Sequence, residues 1–420
     1  MFARALATVR DRARRGAKHL APPVLTRLPG SSVRFGPPRT LEPSVADWTT
    51  GWNARCGEQD RAELVWVHEA IAANWSPSFG VRDLESPSTG GPVRSDDDPL
   101  VVGAAPSWPP TFVVEMPRGR VAGYFGSVIT PDDGLLAQAS FGFVDDPRDH
   151  PVRRQLRLGH LEHLDGTAAT VAFGHADAYF HWLFDVLPRV ELLRLAGWDQ
   201  RRWDHLVVNA VGAAYERETL SQFGVPDDHI RVVDSRSHVV ADRLVTTSTV
   251  SDSGFVPAWA LQLVRDRLLR VDASGAPPLR LYVSRADAEQ RRLADEDRLV
   301  PLLESLGFTC LTLSGRPLSE QIELFSHAEI VIGPHGGGLS NLVWCKPGTA
   351  VVELYGCDYV NPVFWGLSNN LGLRHHHVIG RPLTPGLPRG YGAMVVDTDS
   401  VVRLAERALE GLEQPVPPQR

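Results

Sequence analysis

The sequence predicts an α/β protein with two Rossmann-like domains facing a cleft. The first observation is an alternation of strand and helix patterns that begins near Thr167 and begins again at Leu279. The second is the run from Ala328 to Trp344, where a β-branched segment leads into a glycine-rich turn and then into apolar residues at helical spacing. Such alternation is typical of parallel sheets covered by helices, which bind ligands at the carboxyl ends of their strands.

Composition limits the class of protein. The chain has 420 residues, of which 43% are hydrophobic and 22% charged, and its net charge is −7. This length predicts two domains with cores of their own, and the charge gives no reason to expect nucleic acid as a partner. The four cysteines are scattered without a Cys-x-x-Cys pair, which favours a reducing compartment. No segment approaches the roughly 20 apolar residues needed to span a bilayer.

Residues 1–40 are predicted to form a basic N-terminal tail. Seven basic residues face a single acid within residues 1–27. Their apolar neighbours are too sparse for the core of a signal peptide, so we expect a cytoplasmic protein. Two interpretations stay open: a solvated tail, or peripheral contact with anionic lipids at the inner face of the membrane.

The N-terminal domain is predicted over residues 41–255. A helical patch is expected near 63–73, and an antiparallel meander over 111–140, broken by two Pro/Gly segments. From residue 167 onward, strands and helices alternate. The strands are predicted at 168–173, 206–209, 230–233 and 243–247, and the helices at 178–196 and 217–223.

The C-terminal domain is predicted over residues 279–395, after a connection near 254–278. Its strands are expected at 281–284, 309–313, 328–332 and 350–354, and its helices at 297–306, 318–327 and after the glycine turn. Residues 396–420 contain an amphipathic helix, which we expect to pack back across the domain junction.

The glycine turn from Gly333 to Gly338 is the clearest indication of a ligand site. Glycines let a ligand approach the backbone closely, and the start of the following helix leaves N–H groups for a phosphate or diphosphate. The chain lacks a GxxxxGK[ST] motif and has no GxGxxG after an early strand. A P-loop NTPase and a dinucleotide dehydrogenase are therefore disfavoured.

A second indication comes from the predicted helix over 178–196. His181, Asp185 and Arg189 are four residues apart and share one face of that helix. A histidine paired with a carboxylate can work as a general base. A surface pair next to a proline kink is the alternative interpretation.

A metal site is not expected. The Asp-x-Asp spacings at 96–98 and 295–297 lie in polar surroundings without a preceding buried strand. The histidine pairs 160/163 and 375/377 lack a partnering cluster of Cys or Asp.

Four motifs carry a family resemblance. In chain order they are His181-Trp-Leu-Phe-Asp185-Val-Leu-Pro-Arg189, Leu281-Tyr-Val-Ser-Arg285, Gly333-Pro-His-Gly-Gly-Gly-Leu-Ser-Asn341 and Pro347-Gly-Thr-Ala-Val-Val-Glu353. Over residues 110–380 the chain resembles glycosyltransferase family 61, which includes bacterial capsular-polysaccharide enzymes, plant xylan-decorating transferases and animal O-glycan N-acetylglucosaminyltransferases. The family usually has Gly-Ala-Gly where this chain has Gly336-Gly-Gly338.

The resemblance implies a GT-B fold and an inverting glycosyltransferase that needs no metal and no other cofactor. It would transfer a hexosyl or pentosyl group from a nucleotide sugar, expected to be UDP-linked, to a hydroxyl group of a glycan or polysaccharide. We expect a bacterial enzyme of capsular-polysaccharide or exopolysaccharide synthesis. Two rival classes are a non-catalytic sugar-nucleotide-binding or scaffolding protein of the same fold, and a Rossmann-type oxidoreductase or epimerase.

The donor-binding residues expected from these motifs all belong to the C-terminal domain. Arg285 is expected to hold the diphosphate bidentately, Glu353 to accept both ribose hydroxyls, and Asn341 to order the glycine loop. His335 either shapes the turn or touches the sugar. The full set is Ser284, Arg285, His335, Gly336, Gly337, Gly338, Asn341 and Glu353.

The catalytic base is expected in the N-terminal domain. Either Asp185 takes the proton, or His181 takes it while Asp185 holds the ring, and the spacing does not choose between them. Arg189 is expected to position the acceptor or the domain interface.

Overall fold

The computed structural model describes residues 36–71, 110–251, 255–269 and 277–413, apart from positions 70, 385 and 389. The basic residues of 1–27 and the Asp-x-Asp spacing at 96–98 lie outside these ranges. The described chain divides into two compact units, residues 36–71 with 110–250, and residues 251–413. Among the described residues, no helix combines the length and the apolarity that a membrane crossing requires.

The first unit is built on a ten-stranded sheet. The strands are β1 (Thr40–Glu42), β2 (Glu63–Trp66), β3 (Phe112–Pro117), β4 (Arg120–Ala122), β5 (Ser127–Ile129), β6 (Gly134–Leu136), β7 (Leu161–Thr170), β8 (His205–Val208), β9 (Ile230–Val232) and β10 (His238–Thr247). Their order is β1-β6-β5-β4-β10-β7-β8-β9, and β3 pairs with β10 and with β2. Strands β10, β7, β8 and β9 run parallel, which gives this half of the sheet the predicted α/β character.

The antiparallel half of this sheet contains the predicted meander and one wrong prediction. Strands β4, β5 and β6 pair antiparallel. Glu63–Trp66, predicted to be helical, is instead strand β2, paired antiparallel with β3. Leu64 packs on the core of the unit. Pairing with a buried neighbour and the β propensity of Val65 and Trp66 outweigh the helical spacing of the apolar residues.

The first unit has three helices among its described residues, and the second and third of them connect neighbouring parallel strands. They are α1 (Val45–Asn53), a composite helix α2 made of Tyr179–His181, Trp182–Val186 and Leu187–Leu195, and α3 (Ala214–Gln222). Short 3₁₀ turns lie at Glu58–Asp60, Ala137–Ala139, Pro147–Asp149, Pro151–Arg154 and Asp227–His229. The middle segment of α2 is a π-helical turn. Pro188 follows it, and because proline lacks an N–H and crowds the preceding turn, a widened turn accommodates its ring.

The second unit has a six-stranded sheet in the order β12-β11-β13-β14-β15-β16. The strands are β11 (Leu279–Val283), β12 (Thr309–Leu311), β13 (Ala328–Pro334), β14 (Ala350–Gly356), β15 (Arg374–Pro382) and β16 (Met394–Val395). All pairs are parallel except β15 with β16. A parallel sheet aligns the carboxyl ends of its strands, so β11, β13 and β14 deliver the predicted donor residues to one edge.

The helices of the second unit are α4 (Ala258–Leu268), α5 (Glu296–Ser305), α6 (Leu318–Ser326), a 3₁₀ helix (Gly337–Trp344), α7 (Val363–Leu371) and α8 (Thr398–Glu413). Helix α4 lies in the segment predicted only as a connection. The predicted terminal helix is α8, and its apolar face packs on the sheet of its own unit. Val401, Ala405 and Ala408 are buried there in one core with Ile330 and Val352. An apolar sheet face must be buried against another element, and α8 is the helix that packs on this face.

Candidate functional site

Arg285 and Gly336 meet at the carboxyl edge of the second sheet. Arg285 follows β11, and its Nε donates to the carbonyl oxygen of Gln290 at 3.1 Å. A Cβ atom at position 336 would lie 2.6 Å from Cζ of Arg285 and closer still to Nη1. The guanidinium therefore rests on the glycine backbone, and only glycine leaves room for it.

Arg291 is a second cation at this edge, which the sequence analysis missed. Its Nε donates to the carbonyl oxygen of His335 at 3.1 Å, and its guanidinium lies 5.2 Å from the ring centre of Tyr359. Its backbone has a left-handed φ of 54°, a costly conformation for a non-glycine residue. The signal for it in the sequence is an arginine in the loop that follows the same strand as Arg285.

Both guanidinium groups are partly buried, and neither has its positive charge neutralised by an ion pair among the described residues. Burial lowers the pKa of Arg285 to about 10, repulsion from Arg291 adds to the shift, and the charge of Asp287 opposes it only in part. Burial also lowers the pKa of Arg291. No carboxylate of the described residues forms an ion pair with either group. Two half-buried cations without an acid partner suit a ligand that brings its own negative charge, such as a diphosphate.

The glycine turn adds backbone donors beside these cations. A 3₁₀ helix begins at Gly337, and the first bond of its ladder is from Leu339 N–H to the carbonyl of Gly336 at 2.9 Å. The N–H groups of Gly337 and Gly338 precede that bond, so the helix itself gives them no partner. These two N–H groups make no hydrogen bond within the 3₁₀ helix and lie at the positive end of its dipole.

Asn341 and Ser284 hold the backbone of this site from behind. Asn341 is buried, donates to the carbonyl of Gly338 at 3.1 Å and to Gln321 at 2.9 Å, and accepts from Trp344 Nε1 at 2.9 Å. Ser284 Oγ accepts from the N–H of Ala286 at 3.0 Å and so shapes the turn that carries Arg285. Both residues order the loops of the site.

Glu353 does not have the geometry predicted for it. The carboxylate, in the middle of β14, is fully buried, so it cannot meet ribose hydroxyls from solvent. His335 Nδ1 lies 2.5 Å from Oε1, while Tyr355 Oη donates to Oε2 at 2.6 Å and His375 Nε2 lies 2.9 Å from it. Glu353 is therefore a positioning residue whose work is to hold the His335 ring.

The buried charge of Glu353 is stabilised by its partners. Burial by itself raises the pKa of Glu353, but hydrogen bonds and charges from His335 and His375 outweigh that effect and bring the pKa down to about 2. A carboxylate on Nδ1 fixes the orientation of the His335 ring and leaves Nε2 as the atom for a ligand. Of the two roles left open for His335, a direct ligand contact is the one that this orientation favours.

The first unit contains the His181–Asp185 pair. Asp185 Oδ2 lies 2.7 Å from His181 Nδ1, and the Asp185 side chain is 1% exposed against 21% for His181. Nε2 of His181 has no hydrogen-bond partner among the described residues, and it is absent from the buried polar atoms that lack one. An acceptor hydroxyl can reach that nitrogen but not the buried carboxylate. The geometry favours His181 as base and Asp185 as the group that orients it.

Arg189 is buried and cannot touch an acceptor. Its side chain donates from Nε to Thr247 Oγ1 and from Nη1 to the carbonyl of Ala172, both at 2.8 Å. Burial lowers its pKa to about 10, an effect that the charge of Asp185 opposes. Arg189 therefore ties helix α2 to the ends of β7 and β10, and the predicted acceptor contact is wrong because the whole side chain lies inside the unit.

Among the described residues, His163, Asp165 and Asp242 lie close enough together to hold a metal ion, and metal independence stays a prediction. His163 lies not with His160 but between Asp165 at 3.0 Å and Asp242 at 2.9 Å, on the exposed surface. Both ring nitrogens are used by these carboxylates, which describes an ion-paired histidine. Asp295 and Asp297 flank the start of helix α5. His375 is used by Glu353, as described above.

The paired cations and the glycine turn at the second sheet suit a ligand that carries a diphosphate. Residues 179–352 match the family model described as Glycosyltransferase 61. This range contains the His181–Asp185 pair, both arginines and the glycine turn, and it ends one residue before Glu353. Residues 179–352 are therefore similar to glycosyltransferase 61, and the resemblance indicated by the four motifs is confirmed.

One curated relative is similar to this chain. A beta-1,2-xylosyltransferase of Oryza sativa subsp. japonica is 28% identical over 149 residues, which are 31% of this chain and 28% of the relative. The chain therefore spans well under a third of the length of the relative that it matches. Together the two findings support glycosyltransferase activity and leave the sugar and the acceptor open.

The relative also corrects the predicted location. The expectation of a cytoplasmic protein drew on the scattered cysteines and on the lack of a signal-peptide core near the N-terminus. The relative found is a plant transferase, so the predicted cytoplasmic location is wrong. The bacterial source and a role in capsular-polysaccharide synthesis gain no support from it either.

Proposed function

We propose that this protein is an inverting glycosyltransferase, which moves a sugar from a nucleotide-sugar donor to a hydroxyl group of a glycan without a metal ion. The observation that carries the proposal is the pair Arg285 and Arg291, half-buried beside Gly336 without an acid partner among the described residues. A metal-independent transferase must meet the charge of its leaving group with cations and N–H donors, and this pair with its glycine turn offers both. The GT-B organisation expected from the resemblance is part of the proposal.

The reaction assigns one role to each group. Nε2 of His181 takes the proton of the acceptor hydroxyl, and the oxygen attacks the anomeric carbon of the donor. The bond from that carbon to the diphosphate breaks on the opposite face, which inverts the configuration. The electron pair leaves with the nucleoside diphosphate, whose charge meets Arg285 and Arg291.

The donor to test first is UDP-xylose, because the curated relative is named a xylosyltransferase. UDP-glucose and UDP-N-acetylglucosamine complete the panel. The full chain is incubated with each donor and a chelator, and both released UDP and thermal stabilisation are measured. A donor at 100 times its Kd should stabilise the fold by about 2.7 kcal/mol.

The matched variant is Arg285→Ala. It removes one preorganised donor to the leaving group, so turnover should fall by roughly 10²–10³ and nucleoside diphosphate should bind more weakly. Wild-type turnover in a folded Arg285→Ala chain would refute the assigned role. Stabilisation by a nucleotide sugar, without turnover on any acceptor, would support the non-catalytic binding protein instead.

A further inference from the structure

Several aromatic rings of the first unit gather around His181. Phe143 lies 5.3 Å and Phe173 5.7 Å from the His181 ring, and His175 lies 6.2 Å from it, centre to centre. Phe143 lies in the segment between β6 and β7, whereas Phe173 and His175 share the loop between β7 and α2. Nothing in the proposed transfer of a proton or a leaving group uses them.

Asn209, the residue after β8, holds the loop that contains Tyr124 and the loop that contains Phe173. Its side-chain amide donates to the carbonyl oxygens of Tyr124 at 2.6 Å and of Phe173 at 2.5 Å, and its Oδ1 accepts from the N–H of Phe173 at 2.9 Å. The cluster therefore lies at the carboxyl edge of the parallel strands, where α/β proteins bind ligands.

The Phe143 ring contacts several other rings and still remains partly exposed. Its ring touches those of Phe141 at 4.7 Å and His175 at 4.9 Å, yet 41% of the residue is exposed. Both Phe143 and His175 have left-handed backbones, with φ of 53° and 62°. This conformation is costly for a bulky residue such as Phe143, and strained backbones tend to occur where function requires them. Part of an apolar ring is therefore exposed to solvent beside the proposed base.

The edge of the cluster is polar. Tyr124 Oη donates to Asp177 Oδ1 at 2.8 Å and lies 3.1 Å from His175 Nδ1. Burial and the hydrogen bond to Asp177 raise the pKa of Tyr124 to about 12, so its hydroxyl stays protonated at neutral pH. A sugar ring has an apolar C–H face and a rim of hydroxyl groups, which matches an aromatic surface edged by hydrogen-bonding groups. The carboxylate of Asp177 disfavours an anionic ligand.

We propose that Phe143, His175 and Tyr124 form an acceptor subsite, the aromatic platform, which stacks on the C–H face of a neutral pyranose and brings one of its hydroxyls to His181 Nε2. The inference rests on the proposed function and adds to it the class of acceptor. Sugars with equatorial hydroxyl groups present such faces, so neutral β-1,4-linked oligosaccharides are the suitable probes.

The test measures binding of xylohexaose and cellohexaose to the full chain by calorimetry and saturation-transfer NMR. Phe143→Ala and Phe143→Leu should each raise the Kd at least about tenfold, because both remove the ring face, and Leu keeps the apolar bulk. Phe143→Tyr should bind like the wild type. Leu156→Ala is the matched control, since Leu156 is an apolar residue of the same unit, 65% exposed, outside the cluster.

The outcomes separate this inference from the proposed function. If the wild type hydrolyses a nucleotide sugar but binds neither oligosaccharide, or if Phe143→Leu binds as tightly as the wild type, the platform is refuted. Tighter binding of hexagalacturonic acid than of both neutral probes would also refute it, because Asp177 would then face an anion. If no nucleotide sugar is bound or hydrolysed, the proposed function fails, whereas Phe143-dependent oligosaccharide binding would still establish the subsite.

Discussion

Replacing Gly336 with alanine tests the donor site without touching any charged group. The added Cβ would lie 2.6 Å from Cζ of Arg285. Carbon atoms in contact prefer about 3.5–4.0 Å, so the guanidinium must retreat by about 1 Å or more. Arg285 is held at Nε by the carbonyl of Gln290, so its head cannot swing away without losing that bond.

The expected result follows from that displacement. A misplacement of about 1 Å at a charged group that stabilises the transition state can cost about 10²-fold in rate. We therefore expect Gly336→Ala to lower turnover by roughly 10², close to the loss expected for Arg285→Ala. The Gly336 backbone has a φ of 162°, which is extended and available to alanine, so the fold should keep its stability.

Gly337→Ala is the matched control one residue further on. A Cβ atom at position 337 would meet nothing within 4 Å, and alanine is the residue that the family usually has there. Initial rates with the best donor of the panel, nucleoside-diphosphate affinities and melting temperatures are measured for both variants. Wild-type turnover in a folded Gly336→Ala chain, or equal losses in both variants, would refute the contact between Arg285 and the glycine backbone as the source of the effect.

Three further predictions concern the base, the metal and the buried carboxylate. His181→Ala should lower transfer by about 10²–10⁴ and Asp185→Asn by less, with nucleotide affinity unchanged in both; equal rates to wild type would remove the base role. Transfer with excess chelator should stay within about twofold of transfer with Mg²⁺ or Mn²⁺, and loss restored by one divalent ion would contradict metal independence. Glu353→Gln should cost roughly 1.5–3 kcal/mol of unfolding free energy at pH 7. The folded pKa of Glu353 is depressed to about 2, so its contribution to the unfolding free energy should be complete above the ordinary value of 4.5 and fade as the pH falls towards 2. Urea unfolding at several pH values should show this loss in the wild type but not in Glu353→Gln.

Local patterns in the sequence were enough to predict the framework around the site. The apolar spacing of residues 178–196 predicts a helix, and α2 covers Tyr179–Leu195. The short apolar run before Arg285 and the β-branched run before the glycine turn predict strands, and both lie in the parallel sheet. These elements bury one face or both, so their hydrophobic period is visible without the fold. The strand Glu63–Trp66 could not be predicted from its own hydrophobic period, because its conformation is set by pairing with β3.

The missing parts of the site depend on contacts between distant positions. Arg291 acts beside Gly336 only because its loop returns to the carbonyl of His335. The aromatic platform combines Tyr124, Phe143 and His175, none of which stands in a regular element. A loop residue has no period to read, and left-handed backbones at two of these positions run against local preference. Such residues are found only once the strands that carry their loops are ordered.

Both units use a buried acid to hold a histidine by Nδ1, yet the two pairs are built for different work. Asp185 holds His181 with one carboxylate oxygen in a ring cluster open to solvent, and the ring remains 21% exposed. Glu353 is bound by three side chains, and the His335 ring that it holds is 6% exposed beside two arginines. A base must exchange its proton with solvent after each turnover, so exposure suits His181. In the proposed reaction the His335 ring stays fixed near a departing diphosphate, and it then gains from burial and full hydrogen bonding, because preorganised donors need no rearrangement when charge develops. The same pair of residue types can therefore be assigned opposite roles from exposure and hydrogen bonding.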